Sequence, residues 1–408
     1  MINVYTLLTR YGSPAYVYDL AQVRQAHAAL RKALPEESFL YYSLKANPHP
    51  ALVRELRRLG CYAEISSIGE LRTTLMSGYR PDHCLYTGPG KTVQEIIFAL
   101  QRGISYFSID SLTDLQKVTA GAQATGTQAK VLLRINPDES VSGPGLTMTG
   151  VPSQFGVDTS WVRRERAAFA SASLAQLVGF HIYMGTNISS LATLLQTFEI
   201  ASKTTAELAE VLHLEPEIVD LGGGFGHPFA TKGERPDFSA LRTPLEHLLD
   251  QYLPQWRSGK PQIAFEAGRY LTASAGTLYS TVQDIKVSRN QTFVILDSGI
   301  NHLGGMAGLK RVPRIGAEVV RVNEPDGNPQ LHQVHIVGPL CTPLDHLARN
   351  VDLPTLKVGE IVAIHNVGAY GLTGSLLAFL SRDTPTEIVI DDEKLKEASQ
   401  MAVIRCMK

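Results

Sequence analysis

The stretch YYSLKANPHP, residues 41–50, begins as an apolar run typical of a buried strand and places Lys45 directly before a helical segment. Burying an ammonium group without a partner is costly in free energy. We therefore expect Lys45 either at the exposed end of a strand or in a site where chemistry uses its amine. The organisation of the rest of the chain decides between these two interpretations.

Seven more short runs rich in strand-forming residues follow the first, FLYYSLKA (39–46). They are CYAEISS (61–67), HCLYTGP (83–89), YFSID (106–110), KVLLRIN (130–136), LVGFHIYMG (177–185), EIVDLGGG (217–224) and IAFEAGR (263–269). Between them lie segments whose apolar residues recur three or four positions apart, as in 93–100 and 191–198. Eight alternations within about 230 residues predict an α/β fold, a (β/α)8 TIM-type barrel with strands covered on both faces.

A different pattern begins after residue 270, where strands such as GTLYSTVQDIKVS (276–288) and QTFVILDSG (291–299) follow one another without long helices. This pattern predicts a C-terminal β-rich domain. The early strand PAYVYD (14–19) precedes the first helix and is assigned to the same domain. We therefore expect residues 25–265 to form the barrel, and residues 1–24 and 266–408 to form the β-rich domain.

Composition excludes several classes of protein. The 408 residues exceed what one hydrophobic core usually organises, and 44% hydrophobic with 19% charged residues is typical of a globular protein. A net charge of −1, with no basic block, gives no reason to expect nucleic acid or a membrane as partner. The four cysteines lack metal-ligand spacing, and the first residues lack a signal pattern, so we expect a cytoplasmic protein without a metal site.

Residues that can do chemistry cluster where the predicted strands end, which is the end of a barrel that carries the active site. The residues at these ends are Lys45, Glu64, Arg134, His181, Tyr183, Gly222, Gly223, Gly224, Glu266 and Arg269. Each alone also fits a structural interpretation, as an ion pair, a solvated strand end or a tight turn. Their coincidence at one end of the barrel predicts a single site.

These residue types together match one cofactor. The glycines of DLGGGFGHP (220–228) let backbone N–H groups approach a phosphate closely, although such turns equally serve tight packing. Glu266 can hold a pyridinium N–H and Arg269 can bind a phosphate or a carboxylate, with a plain Glu–Arg ion pair as the alternative. Lys45 adds an amine that can bond covalently to an aldehyde. These are the parts needed to hold pyridoxal 5′-phosphate.

Six stretches in chain order, YYSLKAN, AEISSIGEL, DLGGGFG, FEAGR, GPLCTPLD and GAYG, resemble the motifs of the fold-type III pyridoxal phosphate decarboxylases. This family contains diaminopimelate, ornithine and arginine decarboxylases, with alanine racemase a more distant relative. The resemblance spans residues 14 to 390. It implies an alanine racemase-like barrel, a C-terminal β domain, pyridoxal 5′-phosphate as cofactor and a homodimer with shared active sites.

The resemblance also implies roles for individual residues. As catalytic residues it implies Lys45, which binds the cofactor covalently, Glu266, which pairs with the pyridine nitrogen, and Cys341, which reaches across from the partner subunit. Protonation of Cα would then be carried out by Cys341 or by a nearby acid. The implied cofactor-binding residues are Lys45, Glu64, Arg134, Tyr183, Gly222, Gly223, Gly224, Glu266, Arg269 and Tyr370. The implied substrate-binding residues are Arg269 and Asp345.

Three alternatives remain open from the sequence. Cys341 could instead be a small buried residue. Glu266 favours decarboxylation over racemisation, because an arginine beside the pyridine nitrogen, as in alanine racemases, would leave that nitrogen unprotonated. A racemase or epimerase and a non-catalytic binding protein nevertheless remain alternatives. Release of CO2 from candidate amino acids would separate a decarboxylase from both.

The chain departs from the family pattern in two places. HIYMGTN (181–187) has Tyr183 where the decarboxylases usually have a histidine that stacks on the cofactor ring. A tyrosine preserves an aromatic face for stacking. The Arg-Pro-x-Leu-Tyr segment with which diaminopimelate decarboxylases grip their substrate has no match in residues 296–314. Free diaminopimelate is therefore not the expected substrate.

Two further stretches, TGPGKTVQEI (87–96) and LTMTGVPSQFGVD (146–158), resemble decarboxylases of specialised biosynthesis, including antibiotic biosynthesis. Some of these act on citryl conjugates in siderophore pathways, and the butirosin type acts on a glutamyl group carried by an acyl carrier protein. HIYMGTN fits the butirosin type best. We therefore expect a conjugated substrate, admitted when the loop at 143–153 moves aside; a lid over a small molecule is the alternative role of that loop. Ordinary turn chemistry is the alternative explanation of both stretches.

Overall fold

The computed structural model describes residues 3–141, 146–147, 150–170, 174–304, 316–322 and 331–407. Within these ranges the helices are α1 (Val4–Tyr11), α2 (Leu20–Ala33), α3 (Pro50–Arg58), α4 (Ile68–Met76), α5 (Val93–Leu100), α6 (Leu112–Thr125), α7 (Thr159–Arg164), α8 (Arg166–Ala170), α9 (Leu191–Leu212), α10 (Arg242–Tyr252) and α11 (Arg269–Thr272). Among these described helices, none is both long and apolar enough to cross a membrane.

Strands alternate with these helices in the first two thirds of the chain and dominate the last third. In the same described ranges they are β1 (Ala15–Asp19), β2 (Phe39–Ser43), β3 (Tyr62–Ile65), β4 (Cys84–Tyr86), β5 (Tyr106–Ile109), β6 (Ala129–Asn136), β7 (Leu146–Thr147), β8 (Val157–Asp158), β9 (Ala175–His181), β10 (Gly185–Thr186), β11 (Ile218–Asp220), β12 (Gln262–Ala267), β13 (Gly276–Ser288), β14 (Gln291–Leu296), β15 (Val319–Arg321), β16 (Leu331–Val337), β17 (His346–Leu353), β18 (Ile361–Ile364), β19 (Thr386–Asp391) and β20 (Lys394–Gln400).

The chain divides into two compact units. The barrel unit comprises residues 24–227 and 236–271, and the β-rich unit comprises residues 1–23, 228–235 and 272–408. The chain therefore leaves the barrel unit at residue 228, contributes residues 228–235 to the β-rich unit and then returns to the barrel unit. No pattern in the sequence indicates this crossing. The domain boundaries inferred from sequence, 25–265 for the barrel and 1–24 with 266–408 for the β-rich domain, stay a prediction.

Eight parallel strands close into a barrel in the first unit. Their hydrogen-bonded order is β5-β4-β3-β2-β12-β11-β9-β6, and pairing of β5 with β6 closes the ring. These are the eight runs identified from the sequence, so the predicted TIM-type barrel is confirmed. Close approach of two neighbouring strands explains Gly179, where a Cβ would lie 1.8 Å from the carbonyl oxygen of Ile218.

Apolar side chains from most of the barrel strands pack together as a buried layer. One buried cluster takes a residue from each of six strands, namely Tyr41, Leu85, Leu132, Val178, Ile218 and Ala264. Burying a large apolar side chain of this kind stabilises the fold by about 1.5–3 kcal/mol. Because this layer fills the barrel, it leaves the C-terminal strand ends as the place where polar side chains can gather.

Hydroxyl side chains begin the helices that follow several barrel strands. Ser67 caps α4, Thr92 caps α5, Ser111 caps α6 and Ser190 caps α9, each accepting a hydrogen bond from a backbone N–H of the first helical turn. Each cap satisfies a donor that the helix itself cannot pair, for about 1 kcal/mol. The loops between strand and helix are thereby held in place at the end of the barrel where the candidate site lies.

The β-rich unit is built on one large sheet of order β17-β16-β14-β13-β1-β19-β20, with β18 pairing both β13 and β15. Strand β13 pairs with β1 and β18 through its first half and with β14 through its second, with a register shift between Val282 and Asp284. The N-terminal strand β1 lies between β13 and β19. The predicted β-rich part of the fold is thus confirmed.

Candidate active site

Lys45 lies just beyond the C-terminal end of β2, in a single 3-10 turn. The strand residues before it are buried, whereas its own side chain is 43% exposed. Its Nζ donates to Oε1 of Glu64 at 3.1 Å and lies 5.7 Å from the centre of the Tyr183 ring. Lys45 is therefore an ammonium at a strand end with a carboxylate partner, which leaves its amine accessible for chemistry.

Glu64 is fixed at the neighbouring strand end, in β3, and is only 2% exposed. Its Oε1 also accepts a hydrogen bond from the hydroxyl of Thr87 at 2.7 Å. The Thr87 oxygen lies 3.0 Å from the hydroxyl of Ser66, which is exposed. Glu64 is thus a buried anion that is held by a hydroxyl on one side and by Lys45 on the other.

Three buried ionisable residues meet on three consecutive strands of the barrel. His181 ends β9, Asp220 ends β11 and Glu266 lies near the end of β12. Nε2 of His181 is 3.2 Å from Oε1 of Glu266, at ion-pair distance, and its Nδ1 is 2.8 Å from the hydroxyl of Ser108. A ring nitrogen of His181 and an oxygen from each acid all lie within 4.8 Å of one another.

Burial and mutual charge shift all three pKa values. Burial raises the pKa of Asp220, and the negative charge of Glu266 raises it further. Burial would also raise the pKa of Glu266, but His181, Lys45 and Arg134 together lower it well below its usual range. Burial alone would lower the pKa of His181, yet the two carboxylates raise it. Near neutral pH, Glu266 is therefore the ionised acid of the cluster.

The glycine turn after β11 packs against the strands on both sides. Gly222 has φ of 68° and donates its N–H to Oδ1 of Asp220 at 2.9 Å. A Cβ on Gly222 would lie 2.6 Å from the carbonyl oxygen of Ile182, and one on Gly223 would lie 1.8 Å from that of Glu266. Side chains are therefore sterically excluded here, and the turn exposes bare backbone.

The two predicted anion-binding arginines differ in their surroundings. Arg134, in β6, is 6% exposed, with Nη1 3.9 Å from Oδ1 of Asp110 and its guanidinium carbon 4.8 Å above the ring of Phe155. Arg269 begins α11 directly after β12 and is half-buried. Arg134 is thus fixed inside the barrel, whereas Arg269 stands at the strand end where a phosphate or a carboxylate could bind.

The other predicted site residues, Cys341, Asp345 and Tyr370, belong to the β-rich unit. Cys341 is exposed, which excludes the buried alternative within this chain. Asp345 is 3% exposed, and its two oxygens accept N–H groups of Ile300 and Leu340 at 2.8 and 2.7 Å. Substrate binding by Asp345 stays a prediction, and it would require one of these hydrogen bonds to be exchanged.

Ordinary turn chemistry accounts for most of the stretch 87–96. Thr92 and Glu95 form a reciprocal cap at the start of α5. Lys91 is buried, with Nζ 2.7 Å from Oδ2 of Asp114 and 2.7 Å from the carbonyl oxygen of Ser108. The other stretches assigned to substrate binding lie partly outside the described residues, at 142–145, 148–149 and 305–314.

Sequence reasoning did not single out Asp220, Ser108 or Thr87. Asp220 carried a usable signal, because it is the last residue of a buried barrel strand, with one residue between it and three glycines, and an acidic side chain is unusual at such a buried position. Ser108 and Thr87 carried none, because a small hydroxyl residue in a strand is common. Their positions follow from the order of strands around the barrel.

Comparison with known families decides the assignment of the chain. The family model described as "Pyridoxal-dependent decarboxylase, pyridoxal binding domain" matches residues 20–273. The chain belongs to this family. The pyridoxal-dependent decarboxylases use pyridoxal 5′-phosphate to remove a carboxylate from an amino acid, so this protein is a pyridoxal phosphate-dependent carboxy-lyase. The cofactor and the class of enzyme inferred from the sequence are confirmed.

Several decarboxylases are similar over nearly the whole chain. The L-glutamyl-[BtrI acyl-carrier protein] decarboxylase of Niallia circulans is 32% identical, over 95% of this chain and 91% of that protein. The diaminopimelate decarboxylase of Zymomonas mobilis is 30% identical, over 95% and 90%. The crystal structure of diaminopimelate decarboxylase from Helicobacter pylori complexed with L-lysine matches with a TM-score of 0.83 and 25% identity, over 97% and 95%.

The residues at the barrel end fit the family's cofactor. Oε1 of Glu266 is buried and lies 3.2 Å from Nε2 of His181, but among the described residues it accepts no well-formed hydrogen bond, so it retains capacity for a ring N–H. Lys45 offers an accessible amine, and the turn at Gly222–Gly224 offers backbone without side chains. When bound, the cofactor withdraws the electrons left on Cα after CO2 departs.

Proposed function

We propose that this decarboxylase acts on an amino acid that forms part of a larger conjugate, with a glutamyl group on an acyl carrier protein as the first candidate. The observation that carries the proposal is the 32% identity, along 95% of the chain, to an enzyme named for that substrate. The missing match to the Arg-Pro-x-Leu-Tyr segment supports it, since that segment grips a small free diamino acid.

A second candidate is a free diamino acid such as diaminopimelate. It is favoured by the 30% identity to the Zymomonas mobilis enzyme, a value close to that of the carrier-protein decarboxylase. A siderophore-type citryl conjugate is a third candidate and shares with the first the need for an open active-site entrance. The racemase alternative has lost its support, because the chain belongs to a family of decarboxylases.

Within this enzyme we propose the following roles for the barrel residues. Lys45 would hold the cofactor covalently through its amine. Glu266, as a carboxylate, holds a proton at the pyridine nitrogen and so strengthens electron withdrawal from Cα. Tyr183 presents an aromatic face to the cofactor ring, and its ring position 5.7 Å from Nζ of Lys45 supports this. The roles of Arg269 and the glycine turn are phosphate or carboxylate binding.

We further propose a homodimer in which Cys341 of one chain completes the site of its partner. The exposure of Cys341 supports this, because a thiol that serves a neighbouring chain must be accessible on its own. There it would protonate Cα after CO2 has left, since thiols serve as general acids near neutral pH. Arg269, Asp345 and Tyr370 would contact the substrate or the cofactor phosphate.

Mixing two inactive variants tests the shared site. Cys341→Ala and Lys45→Ala should each be inactive alone, whereas after subunit exchange the mixture should regain about one quarter of wild-type activity, because half of the dimers then hold one intact site of two. The variant Cys406→Ala, at another exposed cysteine, should remain active and serves as the control. If mass spectrometry shows heterodimers but activity does not return, each site is built from one chain.

A substrate panel tests the conjugate. The enzyme should be incubated with free diaminopimelate, lysine and ornithine, with citryl conjugates, and with glutamyl-acyl carrier protein, and the products weighed by mass spectrometry. We expect loss of the mass of CO2 from a conjugate, with kcat/KM at least about 10²-fold above that for any free amino acid, because binding energy from the carrier contributes only there. Efficient turnover of a free diamino acid alone would contradict the proposal and leave the decarboxylase assignment intact.

A further inference from the structure

The buried group formed by His181, Asp220 and Glu266 extends beyond the residue that would contact the cofactor. All three side chains are at most 2% exposed. Among the described residues, Oδ2 of Asp220 has no hydrogen-bond partner, and Nε2 of His181 and Oε1 of Glu266, 3.2 Å apart, meet only as an ion pair. Three buried ionisable groups with so few hydrogen bonds at one place in a barrel are costly, so the arrangement requires an explanation in terms of function.

Charge balance limits how many protons this group holds. Two ionised carboxylates beside a single imidazolium would leave a net negative charge buried out of contact with solvent, and burying such a charge costs several kcal/mol. The group therefore retains a proton on one acid when His181 is cationic. When two carboxyl groups lie close together in different surroundings, their pKa values move apart, so that one is ionised and the other is neutral.

Geometry selects which acid is neutral. His181 Nε2 faces Glu266 at 3.2 Å, and Lys45 and Arg134 also act on Glu266 with positive charge. Asp220 has one neutral N–H donor, from Gly222, and the charges that act on it include the negative charges of Glu266 and Glu64. Lys45 and Arg134 therefore favour an ionised Glu266, and Glu64 favours a neutral Asp220. The charge of His181 favours the ionised form of both acids, and the N–H of Gly222 favours that of Asp220, but His181 faces Glu266 directly.

Ser108 fixes the orientation of the imidazole. Its hydroxyl lies 2.8 Å from Nδ1 of His181, which leaves Nε2 directed at Glu266. The main chain of Ser108 is itself held, since its carbonyl oxygen accepts a hydrogen bond from the buried Lys91 at 2.7 Å. The ring thus cannot turn away from Glu266 without losing a buried hydrogen bond.

We propose that His181 and Asp220 are positioning residues for decarboxylation: His181, oriented by Ser108, keeps Glu266 ionised through its positive charge, and Asp220 stores the proton that the buried group retains. The inference deepens the role proposed for Glu266 and does not depend on the identity of the substrate. It assigns part of the strength of electron withdrawal to two residues on neighbouring strands: Asp220 one strand away from Glu266, and His181 two strands away.

Titration of Glu266 in the full-length protein without added cofactor tests the role of His181. Carboxyl carbons labelled with ¹³C in glutamate are followed by NMR against pH, and the variant Glu266→Gln identifies the signal. In His181→Gln the midpoint of Glu266 should rise by about 1 to 3 pH units, because a cation 3.2 Å away has been replaced by a neutral amide of similar reach. An unchanged midpoint would overturn the role of His181.

The control for this measurement is His332→Gln. His332 is 67% exposed and pairs with Asp352 at the surface, so its loss removes one histidine charge and leaves the barrel untouched. The midpoint of Glu266 should not move in this variant. If it moves as far as in His181→Gln, the shift reports overall charge and the proposal fails.

Infrared difference spectra of the same protein test the role of Asp220. The wild type should contain a protonated carboxyl group near neutral pH whose C=O band is missing in Asp220→Asn. Burial also raises the pKa of Glu70 and of Glu387 to about 7, so these two acids contribute C=O bands of their own near neutral pH. Subtracting the spectrum of Asp220→Asn from that of the wild type removes their contribution. Spectra that differ only in a carboxylate band would show that Asp220 is ionised, which would overturn its role as the proton store.

Kinetics of the loaded enzyme complete the test. In His181→Gln, the low-pH limb of the kcat profile should move to higher pH together with the Glu266 midpoint, so that kcat falls most at pH values below that midpoint, with KM much less affected. If His181→Gln does not fold, the variant Ser108→Ala replaces it in the test, because it removes only the contact to Nδ1 of His181. In Ser108→Ala we expect the Glu266 midpoint to rise less than predicted for His181→Gln, with a fall in kcat in the same direction. Variants in which KM rises while kcat and the midpoint stay unchanged would show a role in binding alone and refute the proposal.

Discussion

Replacement of Lys45 by alanine is expected to remove the visible absorption band of the bound cofactor and to lower decarboxylation at least about 10³-fold. Lys45 is the accessible amine at this end of the barrel, with Nζ 3.1 Å from Glu64 and directed over Tyr183. Alanine removes both the covalent link and the base that the amine becomes when the substrate displaces it. Absorption spectra of purified protein and CO2 release measure the two effects.

Two further variants separate the covalent role from the loss of a charge. Lys45→Arg keeps a cation beside the buried Glu64, so its thermal stability should stay near that of the wild type while the absorption band is still lost. Lys203→Ala removes an exposed lysine that pairs with Glu139, and both absorption and activity should remain. A normal cofactor spectrum in Lys45→Ala would contradict the assignment of Lys45.

The barrel could be predicted because its strands are buried on both faces. Runs such as FLYYS and KVLLRIN are buried along nearly their whole length, and helices lie between most of the successive runs. Site residues at strand ends could be predicted for the same reason, since parallel strands bring all their C-terminal ends to one side. Lys45, Glu64, His181 and Glu266 are all found at such ends.

Contacts between strands distant in sequence could not be predicted. The ion-pair distance between His181 and Glu266 depends on β11 lying between β9 and β12 in the barrel, and 85 residues separate the two side chains in the chain. The hydroxyl of Ser108 reaches His181 across 73 residues for the same reason. Spacing in the sequence carries no information about such pairs until the order of strands is known.

The β-rich unit shows a different limit of sequence reasoning. A motif can mark a residue without showing what its side chain binds: GPLCTPLD draws attention to Asp345, whose oxygens accept backbone N–H groups from a different loop and from its own. A Cβ on Gly299 would lie 2.3 Å from Oδ1 of Asp345, so the carboxylate is tightly enclosed by backbone. This packing follows from tertiary contacts and has no local pattern.

Replacement of Glu266 by glutamine is expected to lower kcat by about 10²- to 10³-fold while the cofactor still binds. Glutamine keeps the size of the side chain but cannot carry the negative charge that holds a proton at the pyridine nitrogen. It also leaves His181 without a counterion in a region where both side chains are at most 2% exposed. The loss should therefore appear in kcat far more than in KM or in cofactor affinity.

The matched control is Glu217→Gln, which removes a carboxylate that is 47% exposed and pairs with Lys130 at the surface, and which should leave kcat unchanged. Steady-state kinetics with the best substrate of the panel, and titration of the protein with cofactor, measure the two quantities separately. If Glu266→Gln retained kcat within about threefold, the negative charge at the ring nitrogen would contribute under 1 kcal/mol to catalysis. Decarboxylation in this barrel would then depend on the covalent link at Lys45 without help from a protonated ring, and the choice of Glu over Arg at this position would no longer explain why the chain decarboxylates.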